Sequence, residues 1–233
     1  MTGGQLTAGH EVSVGGLRMA YLAGGPRDGQ PMIMLHALGE RGSDWEPVAS
    51  RFAARFRVIA PDLRGHGDSD WPGAYDVRLM RDDVVALMDA LSVRAATIVG
   101  HSMGAWVAYL IAMGRPELVA RLVIEDAAVP YRRDRQIPAR PAGITTDFDW
   151  DVVPAIVGQV NAGDQVTWEG LTAITAPTLL IGGGPSSHIP HEKLAEVAAR
   201  IPRCDLITIP AGHNVHRLMP DAFASTVLTW LGS

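Results

Sequence analysis

Residues 96–111 read ATIVGHSMGAWVAYLI. The first four form an apolar, largely β-branched run with the character of a buried strand, and the next five spell G-x-S-x-G. The remainder places Val107, Leu110 and Ile111 at three- and four-residue steps, as on one face of a helix. A strand that turns this sharply into a helix leaves no space for side chains at the ends of the turn, so positions 100 and 104 need glycine. The turn holds Ser102 at its tip with the hydroxyl exposed. It also sets the backbone N–H of Met103 at a helix N-terminus, where orphan donors and the helix dipole favour an anion.

The same alternation runs outward in both directions. Strands are expected at Glu11–Val14, Arg18–Ala23, Met32–Leu35, Arg57–Ala60, Leu122–Glu125, Thr178–Ile181 and Leu206–Ile209, besides the one before Ser102. Several are continuous Val, Ile or Leu runs, which suits a parallel sheet covered on both faces. The first two, joined at Gly15–Gly16, suit an antiparallel hairpin. Met80, Val84, Leu87, Met88 and Leu91 form one helical stripe, and Phe223, Val227 and Leu231 another. Strand and helix in turn predict an α/β doubly wound sheet of about eight strands. Residues 131–175 break the rhythm with Arg, Pro, Asp and Trp and one helical pattern at 152–161. They are expected to form a short cap inserted into a single core domain, residues 1–130 and 176–233.

Composition narrows the function classes. The chain has 233 residues, 47% of them hydrophobic and 19% charged, with a net charge of −5. That composition fits a folded core, and the acidic balance gives no electrostatic support for binding nucleic acid or an anionic membrane. The one cysteine, Cys204, allows no intrachain disulfide. The opening MTGGQLTAGH lacks the basic and apolar regions of a secretory signal and is Gly- and Thr-rich, like part of an expression tag or a frayed terminus. No apolar run approaches the ~20 residues that span a bilayer, and a cytoplasmic location is expected.

Four motifs in order carry a family resemblance: LHALGERGSDW at 35–45, PDLRGHGDSD at 61–70, VGHSMGA at 99–105 and IPAGHNVH at 209–216. Together they resemble the α/β-hydrolase superfamily over nearly the whole chain. The resemblance implies a nucleophile elbow at Ser102, a second oxyanion donor at the backbone N–H of Leu38 opposite Met103, and a pocket shaped in part by His36 and His66. Ala37 stands where the family has a glycine.

A serine hydroxyl needs a base to take its proton. His213 follows a predicted strand through Pro210–Gly212, precedes the last helix and falls on the family's histidine loop; His216 reads as a packing residue and His101 as directed away by the turn. His188 and His191, like His213 and His216, are separated by two residues, but no cysteine or carboxylate cluster accompanies them and no metal is expected. GGLRMAYLAGG lacks a P-loop lysine and dinucleotide spacing, so no cofactor is expected either.

The third member of the constellation is the open question. In most relatives the acid lies after the strand here spelled TLLI, and the matching position is Ser186, which carries no charge. The preceding strand ends in Glu125–Asp126, and alternation along a strand allows at most one of these to face His213. The match to relatives with an early acid selects Asp126, with Glu125, Asp147, Asp149, Asp151 or no acid as alternatives. Ser186 and His188 are then expected to line the pocket or support His213, with Trp106, Tyr131 and Trp150 as further pocket residues beside Phe148 and Trp168. The reading is a serine hydrolase acting on a small carboxylic ester or lactone. A carbon–carbon bond hydrolase or cofactor-free peroxidase of the same fold, and a small-molecule binding protein without turnover, stand as alternatives.

Overall fold

Met32, Ile33, Met34 and Leu35 are all fully buried in the computed structural model, a state that a strand reaches when both faces of its sheet are covered. The structure describes residues 6–129, 134–163 and 166–232. Among these residues eight strands, β1 (Thr7–Val14), β2 (Leu17–Gly24), β3 (Gln30–Leu35), β4 (Phe56–Pro61), β5 (Ala96–His101), β6 (Val119–Glu125), β7 (Thr178–Gly182) and β8 (Cys204–Thr208), form one sheet in the order β1-β2-β4-β3-β5-β6-β7-β8. β1 and β2 pair antiparallel, as do β2 and β4, and every pairing from β4 through β3 to β8 is parallel. All eight expected strands are present. The last is shifted: it ends at Thr208, and Ile209 already belongs to the loop that follows.

Among the described residues there are seven α-helices: α1 (Glu46–Phe52), α2 (Val77–Ala90), α3 (Met103–Gly114), α4 (Val152–Ala162), α5 (His191–Ala198), α6 (Val215–Leu218) and α7 (Pro220–Gly232). The two-residue period of a strand divides its side chains between two cores. Ile33, Leu35, Ile98, Leu122, Ile124 and Leu180 pack with α2 and α3. Met32, Met34, Val99, Val123, Leu179 and Ile181 pack with α1 and α7. The stripe expected on α2 is the one that is buried, and the Asp76 carboxylate caps the helix by accepting from Arg78 N–H at 2.6 Å.

The segment between β6 and β7 holds α4, one residue longer than expected. Its Val152, Ile156 and Val160 join the same cluster as α3. Gln159 fastens it to the chain before α2, accepting from Val77 N–H at 3.1 Å and donating to the Tyr75 carbonyl at 3.0 Å. Arg135 is held to α4 by two main-chain hydrogen bonds with the Asn161 amide. Among the described residues, no helix is long and apolar enough to cross a membrane.

Candidate active site

The turn from β5 to α3 is as tight as its glycines suggest. A Cβ on Gly104 would lie 2.3 Å from the Leu35 carbonyl oxygen and 2.6 Å from that of His36, and one on Gly100 would meet Ala105 and Gly104 at 2.7 Å. Between them Ser102 adopts φ 50° and ψ −112°, a strained conformation of the kind that concentrates at functional sites. Its N–H donates to the Glu125 carbonyl at 3.3 Å, which pins the turn to β6.

β6 ends in a second unusual residue. Asp126 has φ 46° and is fully buried, and the left-handed turn sends its carboxylate toward the loop after β8. Oδ2 lies 2.8 Å from His213 Nδ1. Oδ1 accepts from the Gly183 N–H at 2.7 Å, and Oδ2 also accepts from the Ser187 hydroxyl. Glu125, one residue earlier, faces the other side and meets the Nδ1 and N–H of His216 at 2.8–3.0 Å. The strand end and the left-handed turn after it thus separate the two carboxylates, each onto its own histidine. Burial opposes charge on Glu125, but the neighbouring imidazoles of His101 and His216 outweigh it and its pKa is lowered.

The loop after β3 lies opposite the elbow. Ala37 N–H donates to Glu40 Oε2 at 3.1 Å, Gly39 N–H to His66 Nε2 at 3.1 Å and Glu40 N–H to the Ala37 carbonyl at 3.2 Å. Among the described residues, the N–H groups of Leu38 and Met103 donate to no protein acceptor. The following loop is braced by buried Asp62, which accepts from Gly42 N–H at 2.7 Å and Asp68 N–H at 2.8 Å.

Several expected pocket residues lie elsewhere. His36 is fully buried; its Nε2 accepts from Leu63 N–H at 2.9 Å and its Nδ1 donates to the Ala37 carbonyl at 2.8 Å, so it braces two loops and has no ring nitrogen left for a ligand. Burial pushes its pKa down to about 4, and His66, engaged in the same way, down to about 3. Ser186 is exposed, and its neighbour Ser187 holds Asp126 instead. Trp150 stacks on Phe148, which stacks on His66 with ring centres 5.8 Å apart and covers Gly39. Trp168 lies under the Arg200 guanidinium, and Tyr131 falls outside the described residues. Trp106, with Ser102 and His188, lines a cavity of about 40 Å³ walled also by Val160, Ile189 and Arg135. Its indole N–H is fixed on the Ala128 carbonyl at 2.9 Å. The His188 ring centre is 4.2 Å from that of His213.

His101 lies behind the elbow and does not line the cavity beside Ser102. Its buried ring runs from Glu40 to the main chain of His213, with ring centres 4.7 Å apart. Sequence reasoning missed this group. Its signal was the pair of ionisable residues, His101 and Glu125, that end two strands after apolar runs, and these two are cross-strand neighbours. Glu40, His101 and His216 bring nitrogen and oxygen atoms within 4.8 Å of one another, but Glu40 and His101 bond to each other at 3.3 Å, the arrangement of an ion pair.

Known proteins bear on these features. A soluble epoxide hydrolase of Corynebacterium sp. is 38% identical over 118 residues, 50% of this chain and 41% of that protein. The magnesium-chelatase 30 kDa subunit of Rhodobacter capsulatus is 27% identical over 253 residues, covering 89% of this chain and 88% of that protein. The enol-lactonase of Burkholderia xenovorans superposes with a TM-score of 0.84 at 22% identity, covering 96% of this chain and 100% of that one, a likeness of fold. The match to the first curated relatives, 40% identical over 116 residues, spans 33% of their length. A profile described as the alpha/beta hydrolase fold matches residues 30–159, from β3 through the nucleophile elbow to α4. The chain belongs to the alpha/beta hydrolase fold family.

Proposed function

We propose that this protein is a serine hydrolase that cleaves a small carboxylic ester or lactone through an acyl-enzyme. The observation that carries the reading is the 2.8 Å contact between Asp126 Oδ2 and His213 Nδ1, on the same sheet edge as the strained elbow at Ser102. A carboxylate at Nδ1 keeps the proton there, so Nε2 is left free to act as a base. His213 then takes the Ser102 proton as Oγ attacks the acyl carbon, and Asp126 stabilises the imidazolium. The developing oxyanion takes the N–H groups of Met103 and Leu38, two donors already oriented before the charge appears. The imidazolium returns its proton to the departing alkoxide, and a water activated by the same His213 releases the acid and regenerates Ser102.

The nucleophile's identity separates this reading from epoxide opening. A serine oxygen attacking an epoxide carbon would form an ether, which this machinery has no way to cleave, whereas attack on an acyl carbon gives an ester that water can hydrolyse. The cavity beside Ser102, about 40 Å³ and walled by Trp106, Val160 and Ile189, suits an acyl group of about two carbons. The test is fluorophosphonate labelling of Ser102 together with turnover of p-nitrophenyl acetate. Labelling and turnover that both vanish in Ser102→Ala support the proposal. An unlabelled, inactive wild type would sink it and favour a binding protein of this fold.

A further inference from the structure

Behind the proposed triad, on the α1 and α7 side of the sheet, lie four ionisable groups that the reaction does not use: Glu40, His101, Glu125 and His216. All but Glu40 are fully buried, and the Glu40 side chain is 12% exposed. His101 is bonded at both ring nitrogens. Nδ1 lies 3.3 Å from Glu40 Oε2, and Nε2 lies 3.0 Å from the main-chain carbonyl of His213. A carboxylate and a carbonyl can only accept, so both nitrogens must donate, and a ring with two N–H donors is an imidazolium. His36 and His66, beside the loops, behave differently: Nε2 of each accepts from a backbone N–H, so both rings are neutral.

We infer that His101 is a positioning residue for the proposed hydrolysis, a buried imidazolium that ties the main chain of the base at His213 to Glu40 in the loop that carries the Leu38 donor. This rests on the functional reading above. Glu40 passes the connection on, since the same Oε2 accepts from Ala37 N–H, one residue before Leu38. A single buried cation therefore sets the height of the base loop relative to the oxyanion side. A shift of about 1 Å between such groups can cost on the order of a hundredfold in rate.

The electrostatic surroundings support the charge. Burial opposes it, but Glu125 across the strand pair, then the hydrogen bond and charge of Glu40, and the His213 carbonyl outweigh that cost and raise the His101 pKa to about 8. Glu40 is held down at about 2. The other groups facing the cluster are His216 and Arg217 from α6, the latter 4.0 Å from Glu40, with His36 from the loop after β3 and the His213 ring itself.

The experiment has a spectroscopic and a kinetic arm. Two-bond ¹H–¹⁵N NMR of the wild-type protein at pH 7 should show His101 protonated at both ring nitrogens, and a neutral tautomer overturns the inference. His101→Gln and Glu40→Gln, each checked for cooperative unfolding, should lower kcat for p-nitrophenyl acetate about a hundredfold while KM changes less than threefold, the pattern of lost alignment rather than lost substrate binding. A folded His101→Gln variant with kcat within threefold of wild type overturns it, as does stoichiometric zinc in the purified protein, because a metal on Nδ1 would replace the proton. If the wild type has no esterase activity, the functional reading has failed, and the NMR arm still decides the state of the ring.

Discussion

Asp126→Asn replaces one oxygen by an amide nitrogen, and the surrounding donors dictate which way the new group points. The Gly183 N–H, 2.7 Å from Oδ1, needs an acceptor, so the asparagine oxygen must stay there. The NH₂ group then takes the Oδ2 position, 2.8 Å from His213 Nδ1. An amide NH₂ only donates, so Nδ1 must accept, and the ring proton moves to Nε2. In that tautomer His213 has no lone pair to receive the Ser102 proton. An equivalent replacement in a serine protease costs about 10⁴ in kcat, which at 1.36 kcal/mol per tenfold is about 5.5 kcal/mol of barrier. The assay is kcat and KM for p-nitrophenyl acetate at pH 7.5, with thermal unfolding as the control for folding. Loss of less than tenfold would refute the placement of the acid on β6, and a comparable loss in Ser186→Ala would return the duty to the loop after β7.

Four further outcomes follow from particular contacts. Ser187→Ala removes one donor from Asp126 and should reduce kcat by about ten- to a hundredfold, in keeping with the ~1.5–3 kcal/mol of a hydrogen bond to a charged group, whereas Ser186→Ala should leave it within twofold. Gly104→Ala drives a methyl into the Leu35 and His36 carbonyls at 2.3 and 2.6 Å and should cost more than about 3 kcal/mol in urea unfolding, or give insoluble protein. Glu125→Gln weakens the fully buried hydrogen bonds to the Nδ1 and N–H of His216 and should destabilise the fold by about 1–3 kcal/mol; because the folded pKa of Glu125 is depressed, its contribution is present above its unfolded value near 4.5 and lost as the pH falls from there through the folded value, which acid titration of stability will show. Turnover should favour p-nitrophenyl acetate over the octanoate by at least about tenfold, and equal rates would contradict the small cavity beside Ser102.

The middle of the sheet was legible because β3 to β7 are largely buried on both faces and so appear as apolar runs, and the elbow was legible because only glycine fits at 100 and 104. Glu125 and Asp126 part company at the end of β6, where the left-handed turn at Asp126 follows the last strand residue. What sequence could not supply was contact at long range. His101 meets partners 61 and 112 residues away, and no local period marks such a meeting. In the loop after β7 the failure was smaller in distance but similar in kind. A stretch without periodicity gives no phase, so aligning it by flanking prolines pointed at Ser186 when the hydroxyl that reaches Asp126 belongs to Ser187.

That loop also explains why the glycines at 182–184 stand where an acid was sought. A carboxylate that approaches from β6 is fully buried and must find donors in place of water. The loop after β7 supplies them, one from the Gly183 main chain and one from the Ser187 side chain. A side chain at 183 is impossible in this arrangement, since its Cβ would lie 2.0 Å from the Gly212 carbonyl oxygen, and the Gly212 N–H returns a hydrogen bond to the Gly183 carbonyl at 2.8 Å. The same close approach of the two main chains brings the His213 loop within reach of Asp126. The absence of an acid after β7 and the acceptance of one from β6 are therefore one adaptation: the loop that does not carry the carboxylate is shaped to receive it. Restoring an aspartate at Ser186 in the Asp126→Asn background should then recover little activity, because an acid there lacks the Gly183 and Ser187 donors that hold Asp126 against His213. Recovery to within tenfold of wild type would show that the two loops are interchangeable and that the glycine run has no such role.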